Sequence, residues 1–304
     1  MVSASPTLPV RVVDITDPDD ERVDDFRDLN SVDRRPDLPV LPGGRVGKGL
    51  VIAEGVLVVQ RMVASRFIPH AFLGVDRRLG ELGTTLLPVD DPDAGQDSAC
   101  SLRLPAPVPF YRATAEVMAQ VVGFHLNRGV LGVARRPAEL TVEQAVEGAS
   151  VLAVLEGVND HENIGSIFRN AAGLGVDAVL FGSGCADPLY RRCVRVSMGH
   201  ALLVPFVKLP DWPGELDLLA QRGFTTVSLT PDPAVPLLAD AVESASRVAF
   251  LVGAEGPGLS AAAMRASHVR ARIPMSRGTD SLNVATAAAV AFYELARRDK
   301  GGNE

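Results

Sequence analysis

The alternation of short apolar segments with amphipathic ones between residues 151 and 298 is the feature that most restricts how this chain can fold. Two of its segments, Ile164–Leu174 and the alanine-rich Leu282–Arg298, carry apolar residues at helical spacing. Five others predict buried strands: Val151–Leu155, Ala178–Phe181, Ala201–Val207, Thr225–Leu229 and Val248–Val252. Strands that alternate with helices form a mostly parallel sheet with helices on both faces. We therefore expect residues 149–304 to form an α/β domain.

A second, smaller α/β domain is predicted at residues 49–136. Its strands are expected at Leu50–Ala53, Ala71–Val75 and Val130–Ala134, and its helices at Glu54–Ser65 and Thr114–Phe124. Residues 84–109 are rich in Pro, Asp and Gly and predict a loop. Residues 1–48 contain few apolar side chains and predict a loosely ordered acidic arm, with at most one helix near residues 19–30. Residues 137–148 are expected to be a linker or a connecting helix.

Charge and composition limit the possible partners of the chain. The net charge is −7, and residues 1–40 contribute −5 of it, so a small basic patch elsewhere remains compatible with the sequence. No apolar run is long enough to span a bilayer, and no secretory signal is visible. Cys100, Cys185 and Cys193 form no CxxC pair, and the histidines show no HExxH spacing. We expect a cytoplasmic protein that binds neither membrane nor metal.

Three segments place polar side chains in strand-to-helix turns of the C-terminal domain. Residues 159–172 contain Asn163 and Arg169, residues 251–260 contain three glycines and Glu255, and residues 273–287 contain Ser281 and Asn283. Parallel α/β folds bind ligands at this edge of the sheet. Taken singly, each segment could also be an ordinary helix cap or turn. Ser281 or Asp280 is expected to cap the last helix.

In this order and at these spacings, the three segments resemble the signature motifs of the SpoU/TrmH family of RNA ribose 2′-O-methyltransferases, within the SPOUT superfamily. The resemblance covers about residues 151–298 and includes Asp187-Pro188 and residues 195–199. His161 stands where many members have proline. The first half resembles a ribosomal-protein-like substrate-binding domain, at residues 52–55 and 129–132. The resemblance implies a trefoil knot in the C-terminal sheet and a homodimer formed through this domain.

The resemblance also implies S-adenosylmethionine as cofactor and specific roles for individual residues. The cofactor-binding positions are Leu229, Thr230, Gly253, Ile273, Met275 and Leu282. The catalytic positions are Arg169, Asn163, Glu255, Ser281 and Asn283, with Glu255 orienting Arg169. A guanidinium keeps its proton at neutral pH, so Arg169 could stabilise charge rather than act as the base that the family assigns. Arg191, Arg192 and Arg195 could contact RNA phosphates, or could form a plain solvated helix face.

Two other classes of function are compatible with parts of the sequence. A non-catalytic RNA-binding or ribosome assembly factor could share the fold, although the intact polar positions of the three motifs argue against it. A nucleotide-dependent oxidoreductase is disfavoured because neither GxGxxG nor a P-loop motif is present. Ribosomal RNA is the preferred substrate because the two-domain layout resembles rRNA-directed members, and tRNA is the alternative.

Overall fold

The computed structural model describes residues 6–31, 33–89, 105–276, 278 and 281–301, with side chains up to Arg298. The chain divides into two compact units, each with a six-stranded sheet. The first unit consists of residues 1–138 and 189–203, and the second of residues 139–188 and 204–304. Among the described residues, no helix is both long and apolar enough to cross a membrane.

The sheet of the first unit is mixed, in the order β2-β6-β3-β5-β1-β4, and β6 is antiparallel to both its neighbours. Its strands are β1 (Leu8–Asp14), β2 (Val51–Glu54), β3 (Pro69–Gly74), β4 (Leu86–Pro88), β5 (Val108–Arg112) and β6 (Val130–Ala134). Its helices are α1 (Val56–Val63), α2 (Asp76–Glu81), α3 (Ala115–Val122) and α6 (Arg191–Val196). The predicted strands and helices of this unit are therefore present, and β4 and the first two residues of β5 lie within the segment predicted to contain a loop.

The prediction of a loosely ordered arm at residues 1–48 is wrong for its described residues, 6–31 and 33–48. Residues 8–14 form β1, which lies inside the sheet between β5 and β4. A 3-10 helix at Glu21–Phe26 follows, and its Val23 and Phe26 are fully buried in the core. Most of the charges in this stretch pair locally, as Arg22 does with Asp20 at 2.6 Å. An acidic composition is therefore compatible with order, because the few apolar side chains are the ones that pack.

Residues 189–203 pack within the first unit although the chain enters them from the second. Helix α6 lies against β2, and Cys193 and Val194 are fully buried. The backbone amide of Arg191 donates to Asp37 at 3.0 Å. Contrary to the predicted strand at Ala201–Val207, a 3-10 turn occupies His200–Leu202, and the strand β9 is Phe206–Lys208. Apolar runs of this length do not distinguish a strand from a buried turn.

The second unit has an entirely parallel sheet in the order β12-β10-β11-β7-β8-β9, as the sequence predicted. The strands other than β9 are β7 (Val151–Glu156), β8 (Ala178–Phe181), β10 (Thr225–Leu229), β11 (Val248–Gly253) and β12 (Val269–Ala271). The helices are α4 (Val142–Val146), α5 (His161–Leu174), α7 (Glu215–Gln221), α8 (Leu238–Val242), α9 (Ala261–Ala266) and α10 (Val284–Gly301). The knot stays a prediction.

Two features of this unit bear on its boundaries and its site. The predicted linker at 137–148 contains α4, whose Thr141 and Gln144 form a capping box and whose Val146 is buried in the second core. It is therefore part of the unit. From the centre of the sheet, strands β7, β8 and β9 follow one another toward one edge, and strands β11, β10 and β12 fill the other half. Such a switch point leaves a crevice at the carboxyl ends of the central strands, here β7 and β11.

Candidate active site

A cavity of about 450 Å³ lies at the carboxyl ends of β10 and β11. All six predicted cofactor-binding residues line it: Leu229, Thr230, Gly253, Ile273, Met275 and Leu282. Three of the predicted catalytic residues, Glu255, Ser281 and Asn283, line it as well. The volume falls in the range of roughly 300–1,000 Å³ that is typical of small-molecule sites.

One wall of the cavity is the turn after β11, and glycine is required at several of its positions. A Cβ on Gly253 would lie 2.2 Å from the carbonyl carbon of Gly258, so a side chain cannot fit there. Gly256 and Gly258 have φ of 85° and 69°, in the left-handed region that favours glycine. The amide of Gly258 donates to the carbonyl of Ala254 at 2.9 Å and closes the turn.

The three sequence segments meet through one carboxylate oxygen. The Nδ2 of Asn163 donates to Oε1 of Glu255 at 3.1 Å, and the Nδ2 of Asn283 donates to the same oxygen at 2.8 Å. Asn283 also donates to Oδ1 of Asn163 at 2.8 Å. Its own Oδ1 accepts from the amides of Ala285 and Thr286, at 3.0 and 3.2 Å. Because α10 uses the amide oxygen of Asn283, its Nδ2 is left to face Glu255.

The cap of α10 therefore differs from the prediction. Asn283, and not Ser281, accepts from the first amides of the helix. Ser281 lies exposed on the cavity wall, and Asp280 falls outside the described residues. Helix α5, in the first of the three segments, begins with an aspartate cap. The side chain of Asp160 accepts from the amide of Glu162 at 2.9 Å.

Arg169 does not join this cluster. It is exposed on α5 and makes no hydrogen bond or ion pair within the described ranges. Six residues along a helix correspond to a rotation of about 240°, so Arg169 and Asn163 project from different faces of α5. The prediction that Glu255 orients Arg169 is wrong for this structure, because the hydrogen-bond partners of Glu255 are Asn163 and Asn283.

The three arginines predicted to contact RNA phosphates lie on α6 of the first unit. Arg191 is 12% exposed; its Nη1 donates to Oε2 of Glu54 at 3.0 Å and its Nη2 donates to Asn30 at 2.9 Å. These contacts support the fold of this unit, and the phosphate contact of Arg191 stays a prediction. Arg192 is exposed, and the side chain of Arg195 is 38% exposed. The prediction that these two arginines contact RNA phosphates remains as well.

Sequence reasoning missed Glu156, which ends β7 directly beside Gly253 of β11. The residue is buried, with 8% of its surface exposed, and both carboxylate oxygens accept hydrogen bonds. Oε1 accepts from the indole Nε1 of Trp212 at 2.6 Å, and Oε2 accepts from the amide of Ser260 at 2.7 Å. Ser260 ends the segment that contains the glycine turn and caps α9. A glutamate that ends an otherwise apolar strand was the signal available in the sequence.

The thiol of Cys185, near the same end of β7, lies in a partly buried environment that favours packing over metal binding. Burial raises the pKa of its thiol, which donates to the carbonyl of Leu155 at 3.4 Å. A thiol with a raised pKa is a poorer metal ligand, since metals bind the thiolate. Across the described part of the chain, no group of three or more His, Cys, Asp or Glu side chains is placed to hold a metal ion.

Comparison with known proteins identifies the family of this site. The SpoU rRNA Methylase family matches residues 150–293. A Mycobacterium bovis protein named as an uncharacterised tRNA/rRNA methyltransferase is 63% identical over 288 residues, which cover 94% of this chain and 92% of the relative. The 23S rRNA (guanosine-2′-O-)-methyltransferase RlmB of Bordetella pertussis is 31% identical over 179 residues, which cover 58% and 72% of the two chains.

Solved structures show the same fold. The SpoU methyltransferase AviRb from Streptomyces viridochromogenes, in complex with S-adenosylmethionine, has a TM-score of 0.66 at 22% identity, over 84% of this chain and 92% of AviRb. An S-adenosylmethionine-bound rRNA methyltransferase from Sinorhizobium meliloti has a TM-score of 0.69 at 20% identity, over 95% and 98% of the two chains. The family predicted from the three motifs is thereby confirmed. The chain belongs to the SpoU rRNA Methylase family and is an S-adenosylmethionine-dependent RNA methyltransferase.

Proposed function

We propose that the protein transfers the methyl group of S-adenosylmethionine to a ribose 2′-hydroxyl of ribosomal RNA. The observation that carries this proposal is the meeting of Asn163, Asn283 and Glu255 beside the cavity, because it unites all three motif segments. The similarity to RlmB, a 23S rRNA 2′-O-methyltransferase, favours this hydroxyl and this RNA. The name of the mycobacterial relative, which includes tRNA, makes tRNA the alternative substrate.

The cavity fits the cofactor. Leu229, Ile273, Met275 and Leu282 provide an apolar lining suited to a flat adenine ring. Gly253 leaves the wall without a side chain, and the carboxylate of Glu255 adds a favourable interaction for a cationic ligand. When bound, S-adenosylmethionine supplies an electrophilic methyl group on a sulfonium, which an attacking oxygen can reach in line.

The residues of the site would act by holding the reactants in place. Asn163 and Asn283 fix the carboxylate of Glu255, and the capping of α10 fixes Asn283 in turn. Such preorganisation lowers the cost of aligning a hydroxyl with a methyl donor. We assign to Ser281, which lines the same cavity, the positioning of the RNA ribose.

Arg169 would bind RNA and not the cofactor. Its guanidinium is exposed and unpaired within the described ranges, so its donors are available to a phosphate of the substrate. A guanidinium can hold two phosphate oxygens at once and stabilise the alkoxide that develops as the ribose loses its proton. The proton itself would leave to solvent or to a phosphate oxygen, because an arginine stays protonated at neutral pH.

The experiment is mass mapping of ribose methylation on 23S rRNA and tRNA from cells with and without the gene, followed by methylation of the identified RNA in vitro. Arg169→Ala should abolish transfer with S-adenosylmethionine affinity unchanged, and Arg169→Lys should restore little. Arg265→Ala, which removes an exposed arginine outside the cavity, is the matched control. Loss of base methylation instead of ribose methylation in the deleted strain would overturn the proposal.

We further propose a homodimer formed through the second unit, as the family resemblance implies. Light scattering at micromolar concentration should give twice the mass of the chain. A monomer with full activity would contradict this part of the proposal.

A further inference from the structure

A cluster of like charges surrounds Glu54 in the first unit; we call Glu54, Arg128, Arg191 and Arg195 the Glu54 cluster. Glu54 is the last residue of β2, and its side chain is 6% exposed. Its Oε2 lies 3.0 Å from Nη1 of Arg191 and 3.8 Å from Nη1 of Arg195, and its Oε1 lies 3.9 Å from Nε of Arg128. Three guanidiniums around one carboxylate leave a local charge of +2. The chain as a whole is acidic, so this excess needs a reason.

The three arginines of the cluster differ in how many hydrogen bonds their guanidinium groups make and in how exposed they are. Arg191 is nearly buried, with bonds to Glu54 and Asn30 and its guanidinium carbon 5.2 Å from the centre of the Phe124 ring. Arg128 and Arg195 are 43% and 38% exposed and lie beyond hydrogen-bond distance of Glu54. Neither makes a hydrogen bond in the described part of the chain. One arginine therefore neutralises Glu54, and two keep their donors available.

Asp37, whose carboxylate contacts the backbone of Arg191, is paired with another arginine. Asp37 accepts from Nε of Arg35 at 2.8 Å and from the backbone amide of Arg191 at 3.0 Å, and it is almost fully buried. Its charge is matched by Arg35. The excess positive charge of the Glu54 cluster thus stays with Arg128 and Arg195.

The start of α1 provides an independent anion-binding element at the same place. Its N-cap is Gly55, with φ of 94°, and no side chain caps the helix. The first amides of a helix have no intrahelical acceptor, and the helix dipole makes this end attractive to anions. A Cβ on Gly55 would lie 3.0 Å from Cδ and 3.5 Å from Nη1 of Arg128. The side chain of Arg128 therefore crosses the uncapped end of α1.

We propose that Arg128, Arg195 and the N-terminal amides of α1 form a binding site for a backbone phosphate of the RNA substrate. This inference rests on the proposed function, because it takes RNA as the substrate. A guanidinium fork and a helix N-terminus are the two protein groups best suited to phosphate oxygens. The carboxylate of Glu54 lies within 4 Å of both donor arginines, and Gly55 lets Arg128 lie close to the helix end. The first unit would thus bind the RNA at one backbone phosphate.

The test compares full-length wild type with the double variant Arg128→Gln/Arg195→Gln. Arg77→Gln is the matched control, because Arg77 lies in the same unit, is 82% exposed and pairs only with Glu81 among the described residues. Binding to a 23S rRNA transcript, and to tRNA, is measured over a salt series. We expect at least tenfold weaker RNA binding at low salt for the double variant. The slope of log affinity against log salt should fall by about 0.7–0.9 for each phosphate that the variant no longer binds.

The methylation kinetics should show the same selectivity. KM for RNA should rise in the double variant, whereas kcat, S-adenosylmethionine affinity and melting temperature should stay at wild-type values. Arg195→Lys, which keeps the charge, should recover part of the RNA affinity. If the double variant melts early, the two single variants, each expected to weaken binding severalfold, replace it.

The outcomes separate this site from the proposed function. Wild type that methylates RNA, together with a double variant that binds it as tightly and with the same salt slope, overturns the phosphate site alone. Wild type that methylates neither 23S rRNA nor tRNA overturns both. Loss of binding to poly-glutamate, with RNA affinity unchanged, would assign the site to an acidic protein partner and overturn the inference.

Discussion

Glu156 offers the sharpest test of how the cofactor pocket is held. The substitution Glu156→Gln keeps the shape of the side chain but replaces one acceptor oxygen by an amide group that can only donate. Either the indole of Trp212 or the amide of Ser260 then loses its acceptor. A donor left without an acceptor in a buried place costs about 1–3 kcal/mol. Glu156→Ala removes both acceptors and should cost about 2–6 kcal/mol.

The assay is thermal unfolding together with calorimetric binding of S-adenosylmethionine. At about 2–4 °C per kcal/mol for a unit of this size, Glu156→Gln should lower the melting temperature by about 2–12 °C. Cofactor affinity should also fall, because Ser260 ends the segment that lines the cavity and its anchoring bond is weakened. The control is Glu139→Gln, in the same unit, whose exposed ion pair with Lys208 is worth about 0–1 kcal/mol.

The reasoning would be refuted by a Glu156→Gln variant that melts within about 1 °C of wild type and binds S-adenosylmethionine with unchanged affinity. It would then follow that water, or a shifted side chain, replaces the missing acceptor without moving the turn. A fall in stability with unchanged cofactor affinity would confine Glu156 to a structural role.

Three further predictions follow from the geometry. Gly253→Ala places a Cβ 2.2 Å from the backbone of Gly258, so we expect cofactor affinity to fall at least tenfold, whereas Gly173→Ala, with open space around its Cβ, should leave calorimetric binding unchanged. Burial raises the pKa of Asp25, but hydrogen bonds from Lys48 and His70 outweigh it and leave this pKa below its ordinary value of 3.8. The ionised Asp25 should therefore stabilise the fold fully above about pH 5 and lose this effect as the pH falls through its lowered pKa. In urea unfolding, the free energy of unfolding of Asp25→Asn should depend less on acid pH than that of wild type. An unchanged dependence would contradict this. A fragment of residues 149–304 lacks β2, against which α6 packs, so the thiol of Cys193 on α6 should react quickly with a maleimide in peptide mapping. Full protection of Cys193 in the fragment would show that the first unit is not needed to bury it.

Local signals in the sequence were sufficient for the strands of the second unit. The bounds of β8 and β10 match their predictions because turn-forming residues border each apolar run. The cavity residues also follow from sequence, since the carboxyl ends of parallel strands must share an edge. The Asn163–Glu255–Asn283 contact goes beyond this reasoning, because it depends on how far each side chain reaches.

Other features depend on tertiary context that a single segment does not carry. Strand β1 has a mixed pattern in an acidic stretch and becomes a strand only because β4 and β5 lie on either side of it. Arg169 and Asn163 share a motif, yet the phase of the helix sends them to different faces. Arg191 looks like a solvated arginine in sequence, and its burial against Glu54 is a contact across 137 residues of chain.

The placement of residues 189–203 in the first unit has a consequence for how the protein is made. A ribosome releases residues 1–138 long before residues 189–203, so the surface of β2 that receives α6 stays uncovered while the chain between them is synthesised. The first unit therefore cannot complete its core on its own, and the order of folding is not the order of synthesis. For the same reason neither unit can be exchanged between relatives as a single uninterrupted cassette, so the two should be inherited together.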